Sequence, residues 1–124
     1  MSDRFKFRAY HKENKEMIYF DNNKAKNDIY IAAHMVELFE SGEIMQCTGL
    51  KDKNGQLLFE GDILNDHVGI GIVKWNRIAA GFKVSYINDT RGKWFMDYLS
   101  DEFDTIEIIG NIHQNPELLT GKTP

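Results

Sequence analysis

The sequence predicts a mainly β chain: an N-terminal β-hairpin and one helix attached to a small, twisted β-barrel of SH3-like type. Three observations carry this. Glycine is absent from residues 1–41 and then recurs at 42, 49, 55, 61, 69, 71, 81, 92 and 110. Closely spaced glycines between short apolar runs mark tight turns and bulges. From residue 61 onward, about five short apolar runs follow at roughly ten-residue spacing, which suits a small closed barrel better than a sandwich of about seven strands. A single stretch at helical spacing precedes them.

Each element has its own justification. Residues 4–9 alternate strictly: Phe5, Phe7 and Ala9 point one way and Arg4, Lys6 and Arg8 the other, the mark of a half-buried strand. After the polar turn 11–14, residues 16–20 return as its hairpin partner. Residues 21–27 form a loop. Ile29, Ala32, Ala33, Val36 and Phe39 then fall on one helical face. Asn27 or Asp28 serves as N-cap and Gly42 as the C-terminal stop, so 29–41 reads as an amphipathic helix. Glu37 and Glu40 oppose the dipole at its end, so packing must hold it.

Residues 45–48 are a short strand. The Asn54-Gly55 pair predicts a tight hairpin end, because both residues tolerate positive φ. Residues 56–60 return, Gly61-Asp62 turns the chain, and Ile63-Leu64 opens the next strand. Residues 68–75 alternate around Gly69 and Gly71, which calls for strong twist. Phe82, Val84 and Tyr86 alternate with Lys83 and Ser85 over 81–87. Trp94 and Phe95 start another strand, and 105–112 form the last. The expected organisation is 1–42 as hairpin plus helix without independent folding, 43–119 as the barrel, and 120–124 as a frayed tail.

The chain has 124 residues, 42% hydrophobic and 27% charged. That is ordinary globular usage for one domain and excludes disordered and collagen-like classes. No apolar run approaches the roughly 20 residues of a membrane helix, and residues 1–12 lack a signal-peptide core. One cysteine, Cys47, excludes an intrachain disulfide and multi-cysteine metal sites. The expectation is a cytoplasmic protein without membrane association. The net charge is −4, with the acid excess in 97–124, while 43–96 hold seven bases against six acids. The centre can therefore present a local basic face.

Four ordered stretches closely resemble the YopX-like phage and prophage proteins. The main one is Ile44-Met45-Gln46-Cys47-Thr48-Gly49-Leu50-Lys51-Asp52-Lys53-Asn54-Gly55, followed by Phe59-Glu60-Gly61-Asp62-Ile63. Lys6-Phe7-Arg8-Ala9-Tyr10 with Met17-Ile18-Tyr19 resembles the family's opening hairpin, with Tyr10-His11 where Trp-Asp is common. Gly71-Ile72-Val73-Lys74-Trp75 and Ala80-Gly81-Phe82 resemble its central strands. Ile109-Gly110-Asn111-Ile112-His113-Gln114-Asn115-Pro116-Glu117-Leu118-Leu119 resembles its closing motif. The resemblance covers nearly the whole chain outside 21–42. It implies a β-rich fold with a barrel-like C-terminal part, encoded by phages and prophages of low-GC Gram-positive bacteria. It implies no molecular role and supplies no catalytic residues.

Candidate chemistry is sparse. Gly49, Asn54, Gly55, Gly61 and Asp62 read as turn-forming scaffold, with Asp62 accepting a local backbone N–H. Asp97, Asp101, Glu102 and Asp104 read as a solvated turn rather than a hard-cation site, since their spacing does not match a calcium loop. His11, His34, His67 and His113 are scattered, and Cys47 reads as a small core residue. No nucleophile elbow or phosphate loop is present. The expectation is therefore a non-enzymatic accessory protein without cofactor. It would act by binding an unidentified protein and form a homo-oligomer through the apolar faces of the hairpin and helix, including Phe39. The alternative is a small-barrel nucleic-acid binder. There Lys74, Trp75, Arg77, Lys83, Arg91, Lys93 and Trp94 would supply cations for phosphates and rings for bases.

Overall fold

The computed structural model describes residues 6–12, 15–21, 44–87, 92–95 and 105–120. The helix expected over 29–41, the acidic cluster at 97–104 and Arg91 lie outside these residues. Among the described residues the chain is mainly β. The strands are β1 (Lys6–His11), β2 (Glu16–Asp21), β3 (Ile44–Lys51), β4 (Leu57–Phe59), β5 (Asp62–Asn65), β6 (Ile70–Asn76), β7 (Gly81–Tyr86), β8 (Lys93–Trp94) and β9 (Glu107–Asn111). A one-turn 3₁₀ helix, Pro116–Leu119, follows β9. The strands make a four-stranded sheet in the order β2-β1-β3-β4 and a five-stranded sheet in the order β8-β7-β6-β5-β9. The sheets curl into a half-barrel.

The hairpin forms where alternation places it, pairing Phe7 with Phe20, Ala9 with Ile18 and Tyr10 with Met17. β1 is not half-buried, however. Ala9 is inaccessible and Arg8, on the opposite face, is only 3% exposed. Arg8 is covered by Phe59, Glu60 and Asp62, which lie against that face. Alternation separates two faces without saying how many of them meet solvent.

The Asn54-Gly55 turn also differs from expectation. Lys51 pairs with Leu57, so a five-residue loop, 52–56, joins β3 to β4. Gly55 has φ +81° and Asn54 is not in the positive-φ region. Asp52 organises the loop instead. Its Oδ1 accepts the N–H groups of Asn54 and Gln56, both at 2.9 Å. Its Oδ2 accepts Ile108 N–H at 3.0 Å, which ties the loop to β9. A long-range contact replaces the backbone geometry of a two-residue turn.

The main core holds Leu58, Leu64, Val73, Val84, Tyr86 and Ile106, with Phe82, Phe95 and Ile108 against it. It follows from cross-strand register. Gly71, Val73 and Trp75 on β6 stand opposite Tyr86, Val84 and Phe82 on β7, so the core-side face of this strand pair is apolar and aromatic. The Tyr86 hydroxyl donates to Asp66 Oδ2 at 2.6 Å. Asp66 Oδ1 also accepts Val68 N–H at 2.8 Å, which folds the turn between β5 and β6. Cys47 is fully buried, and its sulfur accepts Gly49 N–H at 3.4 Å.

Candidate functional site

The strand β5 begins at a sharp corner. Gly61 sits at φ +88°, a conformation that only glycine adopts freely. A Cβ there would lie 2.8 Å from the Met45 sulfur. Gly61 N–H donates to Val73 O at 2.9 Å, and Ile112 N–H donates to Gly61 O at 3.0 Å. The corner therefore joins β6 to the residue after β9. Glu60 N–H donates to Gln46 O at 2.9 Å, reaching β3. Four segments distant in sequence meet at one glycine.

Beneath this corner lies a buried ion pair. Arg8 Nη2 stands 2.8 Å from Asp62 Oδ1, with both side chains 3% exposed. The same nitrogen donates to Glu60 O at 3.2 Å, and the guanidinium lies 4.9 Å from the Phe59 ring centre. Asp62 Oδ2 accepts Phe59 N–H at 2.7 Å, the local bond that its sequence position predicts. Burial raises the Asp62 carboxyl above its ordinary range, and the Arg8 charge and the Phe59 N–H act in the lowering direction. Among the described residues, Arg8 Nε has no hydrogen-bond partner. This cluster holds the hairpin against β5. In the sequence Asp62 signals only its local bond, because nothing in the spacing of residues 8 and 62 marks their contact.

Above the corner a groove of about 430 Å³ opens between the two sheets. Ile44, Met45, Ile72 and Ile112 supply apolar wall, and Lys74, Trp75, Glu60 and His113 complete it. His113 stacks on Tyr10 of β1, with ring centres 5.0 Å apart and nearly parallel planes. Glu60 Oε1 accepts Gln46 N–H at 3.4 Å. Asn111 shapes the end of the groove. Its Oδ1 accepts the N–H groups of His113 and Gln114 at 3.1 and 2.9 Å. The closing motif of the sequence thus forms a turn that delivers Ile112 and His113.

The basic and aromatic residues divide between two faces. Lys74 stands opposite Lys83, and Lys83 opposite Trp94. These three make a row across β6, β7 and β8, with Lys83 Nζ 5.0 Å from the Trp94 ring centre. Trp75 belongs to the opposite, core-side face, 42% exposed, with its ring edge-on to Phe82 at 4.9 Å. Lys93 pairs with Val84 at the sheet edge, and Arg77 lies exposed in the turn after β6. Gly49 sits at the register shift in β3. Like charges directly opposite on a sheet repel, so the Lys74 and Lys83 pair is unfavourable unless something acidic approaches. The groove was not legible in the sequence. Its one signal was Gly61, the glycine at which β5 begins while β6 runs on past it.

Among the described residues, no group of three or more His, Cys, Asp or Glu side chains could hold a metal ion. No helix there is long and apolar enough to cross a membrane. No curated protein matches the chain. Among solved structures it is similar to protein EF1440 from Enterococcus faecalis, at 27% identity and a TM-score of 0.47. That match covers 92% of this chain and 96% of the other. The family model described as YopX protein matches residues 6–120, nearly the entire length, and the chain therefore belongs to the YopX family.

Proposed function

We propose that the protein is a non-enzymatic interaction module, a phage or prophage accessory protein of the host cytoplasm, that acts by binding another protein. The groove between the sheets carries this reading. It sets apolar walls from Ile44, Ile72 and Ile112 beside a rim of Lys74 and Trp75, the combination that protein interfaces use for anchoring and orientation. In this reading the five-stranded sheet is a small SH3-like barrel. The strand order, with β9 returning beside β5, supports it.

The test is an affinity pull-down from infected host cells, with parent protein and Trp75→Ala, in nuclease-treated and untreated lysates. The expected result is a protein partner that survives nuclease and is lost with Trp75→Ala. Loss of every partner after nuclease would overturn the reading. Self-association belongs to the same proposal. Tyr19, 60% exposed on the edge strand β2, supports it, since open strand edges recruit further chains. Light scattering at tens of micromolar should exceed 14.4 kDa, and a Phe39→Glu variant should reduce the excess. A single monomer at all concentrations would eliminate it.

A second reading, single-stranded nucleic acid, is favoured by one observation: the Lys74, Lys83 and Trp94 row. Phosphate binding there would weaken steeply with salt, and Lys74→Glu with Lys83→Glu would abolish it. The protein-binding reading expects no low-micromolar affinity for single strands at physiological salt.

A further inference from the structure

The β6 ladder leaves one residue's main chain open, and it faces the groove. Ile87 N–H donates to Ile70 O at 3.0 Å, so Ile70 turns its main-chain groups toward β7. Val73 O accepts Gly61 N–H on the other side. Main-chain groups alternate along a strand. Residues 70, 72, 74 and 76 therefore bond toward β7, and 71, 73 and 75 toward β5. The chain leaves that side at Gly61, opposite Val73, whereas β6 runs on to pair Asn76 with Gly81. The Trp75 N–H and C=O thus extend past the last ladder bond on that side, and among the described residues nothing pairs with them. Ile44, Ile112 and His113 line the groove where the missing strand would run.

We infer that the groove receives an extended, acidic peptide segment of a partner protein, added as a short strand opposite Trp75. This rests on the interaction-module reading and specifies its mode. Strand addition takes affinity from main-chain bonds and specificity from alternate side chains. The residue opposite Trp75 would exchange both hydrogen bonds with it. The next side chain along would share a face with Lys74. Charge decides its chemistry. Lys74 is exposed and faces Lys83 across the ladder. Glu60, the groove's own carboxylate, already accepts Gln46 N–H. An acidic side chain over Lys74 would neutralise the like-charge pair, and aliphatic neighbours would fill the isoleucine wall.

The probes are eight-residue peptides alternating isoleucine with aspartate, a matched set with lysine for aspartate, and an aspartate set N-methylated at alternate amides. Fluorescence polarisation reads affinity, and amide hydrogen exchange reads Trp75. The aspartate set should bind at least tenfold tighter than the lysine set. The Trp75 amide should exchange fast in the free protein and become protected on binding. N-methylation in one of the two phases should cost tenfold or more, and Lys74→Glu should reverse the charge preference. Binding indifferent to N-methylation in both phases, or leaving Trp75 unprotected, would overturn strand addition while the pull-down still decides the module reading. Absence of binding by the aspartate set up to millimolar concentration would overturn it as well, as would protection of Trp75 by an oligothymidine instead.

Discussion

Two charged regions lie on either side of Gly61, and they are treated in opposite ways. Below it, Arg8 and Asp62 are withdrawn from water and bonded to each other, to Glu60 O and to Phe59 N–H. Above it, Lys74 and Lys83 face each other across a ladder, with Lys83 resting on Trp94. The lower pair is satisfied within the chain and joins hairpin to core. Among the described residues, the upper pair is left as like charges facing each other beside an apolar groove. A buried ion pair broken on one side is costly, whereas exposed charges contribute little to folding. The lower region should govern stability and the upper one binding.

The largest effect expected is from Arg8→Leu, which strands the Asp62 carboxylate. Urea unfolding should show a loss of about 3–5 kcal/mol, most of it restored in the Arg8→Leu, Asp62→Leu double variant. An additive double variant would break the contrast between the regions. The same pair sets a pH dependence. Because the folded-state carboxyl of Asp62 is raised above its unfolded value of 3.8, the folded protein holds this proton to higher pH. Its contribution to stability therefore falls as pH rises through that interval. Arg8→Leu removes an interaction that lowers the carboxyl, so the deficit of the variant should shrink between pH 7 and pH 5. A constant deficit would refute the assignment.

Asp52→Ala comes next. It removes the acceptor for Asn54, Gln56 and Ile108 N–H groups and should cost about 2–4 kcal/mol. Thermal unfolding measures it, and protease cleavage within 52–56 should accelerate. Two glycines sharpen the comparison further. Gly55 and Gly61 both have positive φ, but a Cβ at Gly55 meets nothing within 4 Å and one at Gly61 meets Met45. Alanine should cost about 1 kcal/mol at 55 and about 2 kcal/mol at 61. The smallest effect belongs to the rim. Lys74→Glu should change stability by less than about 0.5 kcal/mol, in the stabilising direction, because it gives Lys83 an opposite charge across the ladder.

Much of the strand plan was legible because it is local. Strict alternation located β1, glycine spacing located the corners between β3 and β9, and Asp62 revealed its bond to a backbone N–H three residues away. The burial of Arg8 was not legible, since alternation cannot report that residues 59–62 pack against its face of β1. Nor was the stapling role of Asp52, whose second oxygen reaches a strand 56 residues away.

What the sequence by itself determined is the set of elements and their facing pattern, because side-chain periodicity and turn chemistry act within a few residues. What only the tertiary structure decided is which polar groups are consumed internally. Arg8 finds Asp62, and Asp52 finds Ile108. Among the described residues, Trp75 keeps an open main chain because the chain turns away at Gly61 while β6 continues. Those outcomes depend on strand order and strand-length mismatch, which are properties of the assembled sheet rather than of any segment within it.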